Sequence, residues 1–259
     1  MKIAVSGKGG VGKTLVAGVL ACFFAARGLK VIAIDADPSP NLALTLGLPA
    51  EEARKIVPIS ENESLISRKT GTHYSGVYRL AFTVDDVVKE YAVATPMGVY
   101  LILMGTVKSA GSGCTCPANA VIRALLRHLI LERDEVVLLD MEAGVEHLGR
   151  GTAKHVDVML VIADSSLKSL ETAKHIHKLA SDAGIRQVFL VGNRVADGAQ
   201  RDAIEQYARD NGLSLLGHVP FDEEVMKADM IGMTPLKRQG SVAVQTIEKL
   251  GARLLQSEQ

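Results

Sequence analysis

The chain has 259 residues, 47% of them apolar, and its 29 basic and 29 acidic side chains give a formal net charge of zero. That length fits one α/β domain with a sizeable core. The charge balance excludes a general attraction to nucleic acid or to an anionic membrane, so partners must be read through local patches. No run approaches the roughly 18 apolar residues of a membrane helix, and the N-terminus already reads as a core strand instead of a signal peptide. A cytoplasmic protein is expected, with no nucleic acid and no membrane as partner. In that setting its 3 cysteines suggest metal or redox chemistry before a structural disulfide.

Lys2–Ser6 reads as a buried strand. Gly7, Lys8, Gly9, Gly10, Val11, Gly12, Lys13 and Thr14 then satisfy G-x-x-x-x-G-K-[ST], and an apolar helical stretch, Leu15–Arg27, follows at once. Strand, glycine loop and helix in that order make a phosphate site of what would otherwise be a string match. The glycines allow positive φ and close approach of backbone N–H groups to phosphate oxygens. The helix N-terminus adds unpaired donors. Lys13 is expected to reach the β- and γ-phosphates and Thr14 to bind Mg²⁺.

Further strands are expected at 30–35, 99–104, 136–140, 158–162, 188–191 and 215–219, most of them short and rich in Val, Ile and Leu, as in a parallel sheet covered on both faces. Helical patterns lie between many of them, at 118–133, 167–183 and 199–211, and a last amphipathic helix at 242–255. The alternation predicts a doubly wound, mostly parallel α/β sheet spanning residues 1–259 as one domain. Residues 51–96 read as an irregular insert within it.

The second strand ends at Asp35, with Asp37 beyond it. In such sheets the strand C-termini gather around the ligand crevice, where an aspartate can orient water or complete a Mg²⁺ shell. Val136–Leu139 followed by Asp140 is a Walker B pattern, a strand-end carboxylate for the same ion. Gly144 adds a hinge and a backbone N–H.

Cys22, inside the first helix, reads as a buried apolar residue. Cys114 and Cys116 stand in the glycine-rich loop Gly111-Ser-Gly-Cys-Thr-Cys-Pro117, ahead of a helix whose N-terminus lowers thiol pKa. In an extended C-x-C both side chains point the same way, whereas a direct disulfide there is near the geometric limit. Two thiolates are half of a tetrahedral S₄ site, and a two-fold dimer would supply four. Two incidental surface thiols is the plainer alternative.

With Lys8 present, the loop resembles that of the nitrogenase iron protein, arsenite-pump and cell-division or plasmid-partition ATPases. The resemblance implies that Lys8 crosses a homodimer interface to the partner's nucleotide and that Asp37 positions the attacking water. It implies that Asn193 meets the adenine edge with Arg194 on the ring, and that backbone near Pro220 folds over the base. Absence of an N-K-x-D guanine reader favours ATP over GTP. The family often has a hydroxyl residue after Thr14; here Leu15 can offer only its N–H. The C-x-C loop, Asp140-Met-Glu-Ala-Gly144 and its continuation to Ala153 further resemble CooC-type maturation ATPases for carbon monoxide dehydrogenase, and equally the factor for acetyl-CoA synthase. That likeness implies an ATP/ADP- and Mg²⁺-dependent ATPase, dimerising on ATP to hold Ni²⁺, or Zn²⁺ in its place, between paired Cys114 and Cys116, and passing it to an apo nickel enzyme. Two alternatives stand beside it: a [4Fe–4S] electron donor like nitrogenase iron protein, and a MinD/ParA-type positioning ATPase.

Overall fold

In β1 (Lys2–Gly7) every residue is buried, and successive side chains enter different cores: Ile3 and Val5 one, Ala4 the other. A strand apolar on both faces must be covered on both. The computed structural model describes residues 1–37, 40–69, 84–105, 117–131, 135–142, 144, 152–237 and 240–256. Beyond β1 its strands are β2 (Val31–Ala36), β3 (Val93–Ala94), β4 (Tyr100–Leu103), β5 (Val136–Met141), β6 (Val158–Ala163), β7 (Gln187–Val195) and β8 (Ser214–Pro220). They form one 8-stranded sheet in the order β3-β4-β2-β5-β1-β6-β7-β8. All pairs are parallel except β3 with β4 at the edge.

The helices are α1 (Lys13–Ala25), the short α2 (Leu42–Thr45) and α3 (Ala50–Ala53), α4 (Glu63–Lys69), α5 (Val84–Tyr91), α6 (Pro117–Leu131), α7 (Leu167–Asp182), α8 (Gly198–Asp210), α9 (Glu223–Met230) and α10 (Val242–Gln256). One face of the sheet carries α1, α2 and α10, through Leu20, Phe24, Leu42, Ile247 and Leu250. The other carries α6, α7 and α8, through Leu125, Leu129, Ile176 and Ile204. Each fully buried aliphatic side chain of this kind contributes about 1.5–3 kcal/mol relative to exposure.

The predicted strands and helices all form, and the doubly wound architecture is as expected. Two features differ. Inside the segment 51–96, β3 adds an antiparallel edge strand that was not expected, being too short to give an alternation signal. The seventh strand runs to Val195, past its expected end. There the register slips between Gly192 and Val195, which face His218 and Pro220. Such bulges re-aim side chains beside active sites. Among the described residues no helix is long and apolar enough to cross a membrane. Cys114 and Cys116 lie outside the described residues.

Candidate functional site

The C-terminal ends of β1, β2 and β5 are adjacent, which brings the glycine loop, Asp35 and Asp140 together. Asp35 and Asp140 are register partners across β2 and β5. The loop leaves β1 through Gly7, where a Cβ would collide with the Ile162 carbonyl oxygen. It enters α1 at Gly12 with φ 92°, where a Cβ would strike the Asn193 amide. Only glycine tolerates that combination of left-handed backbone and contact.

Helix α1 begins with no side-chain cap and no acidic residue in its first turn. By contrast α7, α8 and α9 are capped by Ser166, Asp197 and Asp222. The free N–H groups and partial positive charge of α1 are therefore available to an anion. Lys13, only 5% exposed, reaches back along the loop: its Nζ donates to the Lys8 carbonyl at 3.5 Å and lies 3.9 Å from Asp37 Oδ2.

Asp140 is fully buried, and neither carboxylate oxygen has a hydrogen-bond partner among the described residues. Burial pushes its pKa up to about 7; the Thr14 hydroxyl favours the charged form, though its approach stops short of hydrogen-bond geometry. The neighbouring Asp35 charge raises the pKa further, and Lys13 opposes it. Asp35 is also fully buried, and burial lifts it to about 6 against hydrogen bonds from the Leu42 and Asp37 amides. These bonds, at 2.9 and 3.2 Å, make Asp35 the organiser of the turn carrying Asp37. Asp140 is different. A buried carboxylate without donors, next to a lysine and a threonine hydroxyl, fits a hydrated divalent cation such as Mg²⁺.

A cavity of about 590 Å³ opens above the loop. Of the expected residues, Gly9, Gly10, Gly12, Lys13, Thr14, Leu15, Asp37, Asn193, Arg194 and Pro220 line it. Gly7 and Val11 are buried behind it, as is Asp140. Lys8 is partly exposed and does not line the cavity of its own chain. Asn193, 2% exposed, donates from Nδ2 to the Val11 carbonyl at 2.7 Å. Half of its amide thus braces the loop. Arg194 is exposed, with φ 58°. A left-handed arginine costs on the order of 1 kcal/mol; here it directs the guanidinium over the loop.

The far wall was not read from sequence. Phe221, Val225, Met226 and Met233 line it, with Asn41 and Thr45 opposite. Asp222 fixes this wall by joining two helices: Oδ1 accepts from the Glu224 amide at 2.9 Å, and Oδ2 from the Ser241 hydroxyl at 2.6 Å and the Ala243 amide at 3.1 Å. Burial alone would raise its pKa, but these bonds outweigh it and hold the carboxyl below its ordinary value. The signal available was Asp222-Glu-Glu-Val, a cap followed by acidic first-turn residues.

A glycine loop closing on an uncapped helix, a buried lysine and strand-end carboxylates define a P-loop nucleotide hydrolase. The chain belongs to the CobQ/CobB/MinD/ParA nucleotide-binding family, whose model matches residues 2–236, and it is an ATPase of that family. It is 43% identical to the carbon monoxide dehydrogenase accessory protein CooC of Rhodospirillum rubrum, over 90% of this chain and 89% of that one. It is 44% identical to an uncharacterized ATP-binding protein of Methanocaldococcus jannaschii, over 96% of each chain. Among solved structures, the MinD cell division protein of Aquifex aeolicus superposes with a TM-score of 0.70 at 21% identity, covering 98% of this chain and 96% of that one. The last likeness shows the fold alone.

Proposed function

We propose that the chain is an accessory ATPase for maturation of a nickel enzyme, carbon monoxide dehydrogenase or acetyl-CoA synthase. The observation that carries this reading is the 43% identity to CooC, spread over nine-tenths of the chain (90%), in a protein with Lys8 in its P-loop. We take residues 1–259 as one ATPase domain, with 51–96 as an elaboration of it, acting in the cytoplasm as a homodimer with neither nucleic acid nor membrane as partner.

ATP enters the cavity with its phosphates on the loop amides and the α1 N-terminus. Lys13 exchanges its long contact with Asp37 for the β- and γ-phosphate oxygens. Asp37, which lines the cavity, holds the attacking water. Thr14, Asp37 and Asp140 would hold Mg²⁺, which when bound supplies positive charge against the phosphates. Lys8 acts on the partner's nucleotide, as an arginine finger does, where phosphoryl transfer spreads negative charge. Its place outside its own chain's cavity favours action in trans. The adenine edge meets the Asn193 acceptor, with Arg194 on the ring and backbone near Pro220 over it.

Ni²⁺ is the cargo, with Zn²⁺ as competitor. Cys114 and Cys116 from each subunit would provide the four thiolates of one tetrahedral site in the ATP-bound dimer. Hydrolysis reopens the dimer and releases the ion to the apo-enzyme. Adding the protein, ATP and limiting Ni²⁺ to apo carbon monoxide dehydrogenase or apo acetyl-CoA synthase should accelerate activation, and Lys13→Ala should abolish the gain. Equal activation without ATP would contradict the proposal.

A second reading has one observation in its favour. The chain is 31% identical, over 90% of its length, to the iron–sulfur ATP-binding protein of the light-independent protochlorophyllide reductase of Heliobacterium modesticaldum. An iron–sulfur electron donor of this kind needs a second cysteine near the Walker B region, and none stands between Asp140 and Arg150. Brown protein with bound iron after anaerobic purification would favour that reading over nickel transfer.

A further inference from the structure

Ser6, the residue before the glycine loop, is completely buried at the end of β1. A serine hydroxyl there, in a strand otherwise apolar from Ile3 to Val5, needs partners to offset its desolvation. It finds them outside its own strand. Its Oγ donates to the Glu142 carbonyl at 2.8 Å, with the Gly144 carbonyl at 3.3 Å as a weaker second acceptor. The same Oγ accepts the Gly144 amide at 3.2 Å. One hydroxyl thus spans the stretch that follows Asp140, on a strand directly paired with β5.

We propose that Ser6 is a positioning residue that holds Gly144 in the ADP-like arrangement and gives it up to the γ-phosphate of ATP. The proposal rests on the family resemblance of Asp140-Met-Glu-Ala-Gly144, which implies that this stretch is a switch responding to the γ-phosphate. The Gly144 amide is buried, so without an acceptor it would be orphaned, at a cost that favours whatever acceptor is at hand. Ser6 satisfies it with a neutral oxygen. A γ-phosphate oxygen offers a charge-assisted bond of roughly twice the strength. The amide therefore leaves Ser6 only when that stronger acceptor arrives. ADP, lacking it, leaves Gly144 on Ser6. Because Ser6 precedes Gly7 directly, the two acceptors compete for one N–H at the root of the nucleotide loop.

The test compares Ser6→Ala and Ser6→Thr with wild type, measuring affinities for MgADP and a non-hydrolysable MgATP analogue. Removing the hydroxyl frees the amide, so Ser6→Ala should bind the analogue about three- to tenfold more tightly with ADP affinity unchanged. Ser6→Thr, which keeps a hydroxyl, should return the ratio to wild type. A purely structural serine would weaken both nucleotides together; that result, or an unchanged ratio in Ser6→Ala, overturns the proposal. A measurement on wild type needs no variant to fold. With ¹⁵N-glycine labelling, the Gly144 amide should be protected from exchange in the ADP complex and its resonance should move when the analogue replaces ADP. An unprotected amide with ADP overturns the Ser6 contact; a resonance that does not move overturns the switch reading beneath it.

Discussion

Asn193 and Val11 stand 182 positions apart in the chain, yet the amide nitrogen of one donates to the carbonyl of the other at 2.7 Å. The bond ties the bulged end of β7 to the centre of the glycine loop, so the β7 wall of the cavity and the loop beneath it are set by one contact. Asn193→Ala would leave the buried Val11 carbonyl unpaired, a loss of about 1–3 kcal/mol. Calorimetric titration should show ADP affinity reduced about tenfold, in line with that cost, and thermal melting should show a lower midpoint. Unchanged affinity would mean that the loop holds its shape without β7.

Asp140 and Asp35 give the nucleotide-free protein a defined pH response. Their pKa values of about 7 and about 6 lie above the ordinary carboxylate range, near 3.9 in an unfolded chain. The folded state therefore holds protons that the unfolded state has lost. Stability contributed by these groups is full below about pH 4 and falls as pH rises through 6 and 7. Without Mg²⁺, wild type should lose melting temperature between pH 5 and pH 8 (a range about the two values). Asp140→Asn should flatten that slope while losing hydrolysis. A slope identical to wild type in Asp140→Asn would contradict the assignment.

Lys8 makes a different demand. Its side chain does not line the cavity above its own loop, so Lys8→Ala should keep the fold and ADP affinity. Phosphate release should drop by about 10³ or more, the range for a charge supplied in trans. Light scattering with the ATP analogue should show fewer dimers. A variant that hydrolyses at the wild-type rate would remove Lys8 from the mechanism.

Arg194 separates stability from binding. Arg194→Gly relieves the left-handed backbone at φ 58°, so the folded protein should gain up to about 1 kcal/mol. Adenine nucleotide affinity should fall all the same, because the guanidinium proposed to pack on the base is gone. Denaturant melts and nucleotide titrations on the same variant check both halves.

The sheet was legible because its strands are apolar on both faces and separated by helical stretches ending near Gly28, Gly184 and Gly212. The phosphate side of the site was equally legible, since G-K-G-G-V-G-K-T puts contiguous residues on one ligand. The base side was reached only through the family resemblance, which named Asn193, Arg194 and Pro220, and not from any local pattern. Asn193 and Arg194 owe their positions to a register slip that no local pattern encodes, and the wall from Phe221 to Met233 comes from a turn and helix with ordinary surface composition. Ser6 escaped notice for another reason: a single small polar residue in a buried strand has meaning only once Glu142 and Gly144 are seen against it. What Asp35 does was likewise hidden until the amides of Leu42 and Asp37 were seen on its carboxylate, holding that turn.

On the proposed function, nucleotide governs a thiolate site shared between two subunits. Native mass spectrometry of the protein with Ni²⁺ and the ATP analogue tests it most directly. The account predicts one Ni²⁺ per dimer in wild type and none in Cys114→Ala, with the dimer still forming. Nickel retained at the same stoichiometry in Cys114→Ala would contradict it.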